Sequence, residues 1–308
     1  MSPDAPRRLR LFDRPYILLC LTTFFWSGNF VIARAVHADV PPLALAFWRW
    51  VGALAVVLPF AWRPLRRDWP VIRAHWRILA VLSLLGVASF NTLVYLGLQT
   101  TTALNAVLLQ SAIPISIVAL AFALFHDTVA PRQAGGILLS LTGVVTIVAR
   151  GDLAILQGLH FDRGDLLVIA AVALWALYSV LLRKRPPLHP SSFLAVTIII
   201  AIPALAPLYA WEHAAGHRLI LDGPAAAALG YVAVFPSVVA YLFFNRGVEL
   251  IGANRAGAFI HLMPLFGSIM AILLLGESFR LHHAVGVGLI LSGVYFAARP
   301  TGVRSPPK

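Results

Sequence analysis

The stretch "ALNAVLLQSAIPISIVALAFALFHD" (residues 103–127) returns at an offset of 150 as "ANRAGAFIHLMPLFGSIMAILLLGE" (residues 253–277). Pro114 and Pro264 coincide, as do Ala103 and Ala253, Ala106 and Ala256, and the acidic ends Asp127 and Glu277. Each stretch holds the roughly 20 apolar residues that a helix needs to cross a bilayer. Working outward, the same offset aligns Gly97 with Gly247, Gly136 with Gly286, Leu141 with Leu291, Gly143 with Gly293 and Val144 with Val294. An offset of 149 aligns Trp26 with Trp175 and Arg34 with Arg183. One chain therefore carries the same unit twice.

The solvent for such a chain is lipid. Of its 308 residues, 60% are hydrophobic and only 12% are charged, against roughly 25% charged in a soluble protein. The net charge of +12 points to basic loops retained inside the cell rather than to nucleic acid. A single cysteine, Cys20, excludes a disulfide framework and a cysteine metal cluster. The opening "RRLRLF" and the apolar run after it resemble a signal peptide, but no small-residue cleavage site follows and many similar runs come later. The run is the first of ten expected spans: 16–36, 42–62, 77–98, 103–125, 131–150, 165–183, 191–211, 226–247, 255–275 and 281–298. Their connections, such as "RPLRRDWP" and "RKRPPLHP", are short and rich in proline and charge.

With the amino terminus placed inside, the inner segments hold about 18 basic residues and the outer loops about 4. Both termini are expected in the cytoplasm, and the chain in the inner (plasma) membrane. The fold expected is an all-α integral membrane protein of two five-helix units, residues 1–150 and 151–308. Five is odd, so the second unit enters the membrane inverted relative to the first. Inverted repeats around a central cavity are the architecture of transporters, where one midplane site opens to each side in turn.

The chain resembles the drug/metabolite transporter superfamily, and within it the EamA-type ten-span exporters. The resemblance rests on "FWSGNFVIARAV" in span 1, "PPLALAFWRW" opening span 2, the proline-centred spans 4 and 9, and "LLLGESFRLHHAVGVGLILSGVYF" across spans 9 and 10. Asp127 departs from it, standing where the family usually has Glu. The span-6 sequence "ALWALYSVLLRK" is similar to the aromatic amino acid exporters of this family. That likeness implies export of amino acids, aromatic ones favoured, and of related small metabolites, with broad tolerance; the alternative it leaves is export of other drugs or metabolites of the same family. A homodimer and a monomer both fit it.

Polar groups inside spans are costly in lipid and tend to face a cavity or a partner helix. Trp26 and Asn29 share a face of span 1, Asn91 and Tyr95 of span 3, Trp175 and Tyr178 of span 6, and Tyr241 and Asn245 of span 8. Gln110 in span 4 and His261 in span 9 complete the ten candidate substrate-binding residues. Aromatic faces and amides together suit an apolar side chain and a zwitterionic head group. The competing reading is that aromatics mark the membrane interface and that amides join neighbouring helices. Trp26 and Trp175, near the midplane, fit that reading poorly. His261 carries a proton, or is a neutral imidazole tied to a neighbouring helix.

Arg49, in span 2, pairs with a substrate carboxylate, stacks on an aromatic or bonds to helix carbonyls, or else snorkels toward the interface. Asp127 and Glu277 are expected to cap spans 5 and 10. The glycines Gly136, Gly143, Gly286 and Gly293 mark packing faces between those spans or between two protomers. Pro114 and Pro264 free carbonyls for substrate, act as hinges, or set static bends.

No metal, cofactor, P-loop or hydrolase motif is legible. Without a P-loop the chain does not hydrolyse ATP alone, so transport is secondary or facilitated, driven by the substrate gradient or by exchange with protons. The rivals are a membrane enzyme acting on lipid or sugar carriers, which lacks a nucleophile or paired acids here, and a non-transporting sensor, which gains nothing from two-sided symmetry.

Overall fold

The computed structural model describes residues 11–35, 40–101, 103–152, 154–158, 162–275 and 280–299. All regular structure among them is helical. Helix α1 is Pro15–Ala35 and α2 is Pro42–Ala74. Helix α3 runs through Trp76–Gly97, α4 comprises Ala103–Gln110 and Ile113–Phe125, and α5 is Pro131–Val148. Helix α6 is Arg163–Lys184, α7 Pro190–Ala214 and α8 Gly223–Ile251. Helix α9 joins Ala253–Ala258, Phe259–His261 and Leu262–Leu275, and α10 is Leu281–Ala298.

Eight of these, α2–α8 and α10, are long and apolar enough to cross a membrane. Helices α1 and α9 lie at the two other expected positions. The outer surface is apolar: Phe60 is 76% exposed, Trp211 68%, Leu273 76% and Leu281 79%. Such a surface is stable only against lipid or another apolar partner.

Sequence and structure part at several points. Helix α2 does not stop near residue 62: "RPLRRDWP" is helical, with Pro59, Pro64 and Pro70 inside a 33-residue helix. At 1.5 Å per residue it spans about 50 Å, well beyond a bilayer core of about 30 Å. Span 4 is broken at Ser111 and Ala112, so Pro114 falls in the first turn of a new helix, where its missing N–H costs little. Asp127 does not cap α5. The N-cap is Ala130, with no side-chain bond, and the Asp127 carboxylate pairs with Arg183 at the end of α6. Proline at the first helical position leaves one fewer N–H to satisfy there. Glu277 lies outside the described residues, as does the Arg34 side chain.

Two contacts join elements that the repeat makes equivalent. Helix α5 packs along α10 within the chain, which decides between the alternatives for the glycine faces. A Cβ on Gly136 would stand 2.6 Å from the Gly293 carbonyl oxygen, and one on Gly143 2.7 Å from that of Gly286. Backbone meets backbone, an approach open only to glycine. Helix α2 packs along α7, and each caps the other. Glu212 of α7 accepts from the N–H groups of Leu43 (3.0 Å) and Ala44 (2.7 Å) in the first turn of α2. Asp68 of α2 accepts from the N–H of His189, the N-cap of α7, at 2.8 Å. Each acid sits at the positive end of the opposite helix dipole and takes up backbone donors that lipid cannot satisfy.

Two stability measurements check this packing. Gly143→Ala should lower the unfolding free energy in detergent by about 1–3 kcal/mol. Gly135→Ala, where nothing lies within 4 Å of the new Cβ, should be neutral or stabilising by up to about 1 kcal/mol. Equal melting of the two variants would contradict the close approach. Glu212→Ala, which orphans two buried N–H groups, should cost about 1–3 kcal/mol, and Glu212→Gln, which keeps one acceptor, less. A Glu212→Ala protein as stable as the native one would refute the cross-helix cap.

Candidate functional site

Two interrupted helices set up the site. Residues Ser83–Ser89 of α3 and Ala233–Val239 of α8 wind as π-helix, at the same place in the two repeats. In α8 the cause is visible: Pro236 has no N–H to give to the Val232 carbonyl, and Ser237 Oγ donates to that carbonyl instead, at 2.7 Å. The π turns and the break in α4 leave carbonyls facing inward, and side chains claim them. Tyr241 donates to Gly86 O (2.5 Å), Trp26 Nε1 to Pro236 O (3.1 Å) and His261 Nε2 to Ser111 O (2.8 Å). Ser27 Oγ of α1 donates to Met263 O of α9 (2.9 Å).

Between these repaired breaks lies a buried cavity of about 20 Å³. Its walls are Trp26 and Asn29 of α1, Phe90 and Asn91 of α3, Gln110 and Ile113 of α4, Trp175 of α6, Tyr241 of α8, and Ile260 and Met263 of α9. A volume of this size holds about one water and no metabolite. Repeat-related residues face each other across the space. Trp26 and Trp175 meet edge to face at 5.1 Å, and Asn91 Nδ2 donates to the Tyr241 hydroxyl at 3.3 Å. Gln110 and Ile113 in one unit correspond to Ile260 and Met263 in the other.

Of the ten expected residues, six therefore line one cavity: Trp26, Asn29, Asn91, Gln110, Trp175 and Tyr241. Trp175 is the hub. Phe90, Tyr178, Tyr241 and Phe244 all lie within 4.8–5.7 Å of it, ring centre to ring centre. Its indole Nε1 is buried without a hydrogen-bond partner.

The other four stand behind the wall. The Tyr178 hydroxyl donates to Asn245 Oδ1 at 2.8 Å, and the Tyr95 hydroxyl to Asn29 Oδ1 at 3.0 Å. His261 is fully buried. Its Nε2 donates to the Ser111 carbonyl (2.8 Å) at the break in α4, and its Nδ1 lies 2.5 Å from Ser140 Oγ of α5. Both ring nitrogens are thus spent on tying α9 to α4 and α5.

Arg49 does not snorkel. It is 1% exposed, with Nε donating to Ser237 Oγ at 3.0 Å, Nη1 donating to the Tyr95 hydroxyl at 2.6 Å, and the Trp50 ring 5.0 Å away. The sequence reading missed Phe90, Ile113, Ile260 and Met263. As plain apolar residues in apolar helices they carry no local signal, although the repeat pairs Ile113 with Met263 and Ile260 with Gln110. No group of three or more His, Cys, Asp or Glu residues able to hold a metal occurs among the described residues.

This geometry agrees with the chain's relatives. The EamA-like transporter family matches twice, over residues 14–149 and 162–299. An uncharacterized transporter of Archaeoglobus fulgidus is 30% identical over 292 residues, covering 92% of this chain and 96% of that one. The uncharacterized transporter YyaM of Bacillus subtilis is 26% identical over 297 residues, 95% of both chains. An S-adenosylmethionine/S-adenosylhomocysteine transporter of Chlamydia trachomatis is 24% identical over 292 residues, 91% of this chain and 88% of that one. A solved crystal structure, 19% identical, shares the fold with a TM-score of 0.72 over 92% of this chain and 96% of its own. Matched in both repeats and along nearly its whole described length, the chain belongs to the EamA-like transporter family.

Proposed function

We propose that this transporter exports small zwitterionic metabolites with an aromatic or apolar portion, aromatic amino acids foremost, across the plasma membrane. The observation that carries the reading is the cavity itself, where the Trp26–Trp175 pair and the Tyr241 ring stand beside the amides of Asn29, Asn91 and Gln110. Aromatic faces receive an apolar side chain, and amides receive the charged head group. The Chlamydia relative fits the same chemistry, since both molecules in its name join an amino acid head to an aromatic adenine.

In this reading residues 1–150 and 151–308 are inverted units, α1 and α9 complete ten spans, and both termini are cytoplasmic. The cavity, in this reading, lies between the units and is too small, as it stands, to hold a metabolite. Rocking of one unit against the other would open it first inward and then outward. The chain acts as a transporter and not as an enzyme, by facilitated diffusion or proton exchange.

Proteoliposomes test this. Entry of labelled tryptophan, phenylalanine, S-adenosylmethionine and a small polar amino acid is followed with and without an imposed pH gradient. Saturable flux of the aromatic compounds is the expected result, and no flux of any of them rejects the substrate class. Trp175→Ala should cut aromatic flux at low substrate concentration by about tenfold while the protein stays folded. Unchanged flux removes Trp175 from the site. His261→Gln should lower the yield of folded protein and leave the pH dependence of flux as in the native chain. A pH dependence lost in that variant would make His261 the proton carrier.

A further inference from the structure

Arg49 is a buried cation whose counterpart in the paired helix is uncharged. Counting from Pro42 and Pro190, which open the paired helices α2 and α7, the residue of α7 equivalent to Arg49 is Thr197. Among the described residues no Asp or Glu oxygen lies within ion-pair distance of its guanidinium. An uncompensated charge in the membrane interior is costly. The bonds to Ser237 and Tyr95 and the Trp50 and Tyr95 rings offset only part of that cost.

The remaining charge has a direction. A guanidinium only donates, so the Tyr95 hydroxyl must accept from Arg49 and send its own proton onward to Asn29 Oδ1. With Oδ1 taken, Asn29 has its NH2 group to offer to the cavity it lines. Opposite it, the Gly86 carbonyl takes the Tyr241 proton, so that hydroxyl accepts from Asn91 Nδ2. The Trp175 ring stands in the same wall, with its Nε1 buried and unpartnered. No acidic residue lines the cavity. The wall is thus divided: Asn29 has its NH2 group to offer, while Asn91 and Gln110, with Nδ2 given to Tyr241 and Nε2 to the Ala106 carbonyl, have their oxygens. Behind the Asn29 donor stands a full positive charge with no counter-ion among the described residues.

We propose that the cavity receives the carboxylate of its substrate, and that Arg49, acting through Tyr95 and Asn29, is the positioning residue that sets the preference for that anion over a neutral head group. The inference rests on the cavity being the substrate site. A single positive charge matches a singly charged carboxylate better than a dianionic phosphate. The incoming anion would supply the counter-charge that the fold withholds.

The test is binding of matched acids and amides to the purified full chain, read by its thermal unfolding midpoint. The probes are phenylalanine against phenylalaninamide, and 3-phenylpropionate against 3-phenylpropionamide. Each acid should bind about tenfold or more tightly than its amide. Arg49→Gln should reduce that ratio to about threefold or less, and Arg49→Lys should restore part of it. If Arg49→Gln does not fold, Tyr95→Phe keeps the cation, cuts the relay and should also lower the ratio. Equal binding of acid and amide by the native chain overturns the proposal, as does an unchanged ratio in both Arg49→Gln and Tyr95→Phe. Binding of 3-phenylpropionate without phenylalanine would reject the amino acid reading and leave the carboxylate site standing. Failure of both acids to bind rejects both.

Discussion

Lipid offers no hydrogen bonds, so every interruption of a membrane helix must be made good by another part of the protein. This constraint organises the centre of the molecule. Pro236 opens the ladder of α8, and Ser237 closes it. The π turn of α3 exposes Gly86 O, and Tyr241 takes it. The break in α4 exposes Ser111 O, and His261 takes it. The residues that mend the backbone belong to the same network that lines or backs the cavity. Ser237 satisfies a carbonyl and at the same time holds Arg49. Site and scaffold are one hydrogen-bonded structure, and a change in either is felt in both.

The second organising feature is that repeat-related positions meet. Asn91 bonds Tyr241, the Ser111 carbonyl bonds His261, and Trp26 packs on Trp175. Gly136 and Gly143 face Gly293 and Gly286 in reciprocal order. The cavity sits among contacts of this kind, and most of its lining comes in equivalent pairs. Chemistry enters where the halves differ: Gln110 against Ile260 in the lining, and Arg49 against Thr197 behind it.

Much of this was legible in the sequence because hydropathy and repetition are strong, additive signals. Apolar runs located the helices, the 150-residue offset identified the glycines, and the 149-residue offset the facing tryptophans. What escaped was whatever depends on backbone detail. The π turns leave no mark in Ser83–Ser89 beyond a glycine, and "RPLRRDWP" looks like a loop although Asp68 anchors it as helix against α7. Asp127 looked like a cap because acids favour helix starts, yet Arg183 was nearer. Four of the ten candidate residues fell behind the wall, because helical spacing gives a shared face but not which partner that face meets. Arg49 was visible as an anomaly, and only the structure showed the phenol and amide that link it to the cavity.

The cap that Glu212 places on α2 has a consequence for how the chain is made. Leu43 and its acceptor are 169 residues apart. At a synthesis rate of about 5–20 residues per second, the start of α2 enters the membrane roughly 10–30 s before α7 exists to receive its N–H groups. During that interval the early half is an unfinished object, with a ragged helix start at the membrane boundary. Assembly of the nascent protein is then governed by the arrival of its seventh helix, and a chain truncated before Glu212 would remain open to capture by quality-control proteases.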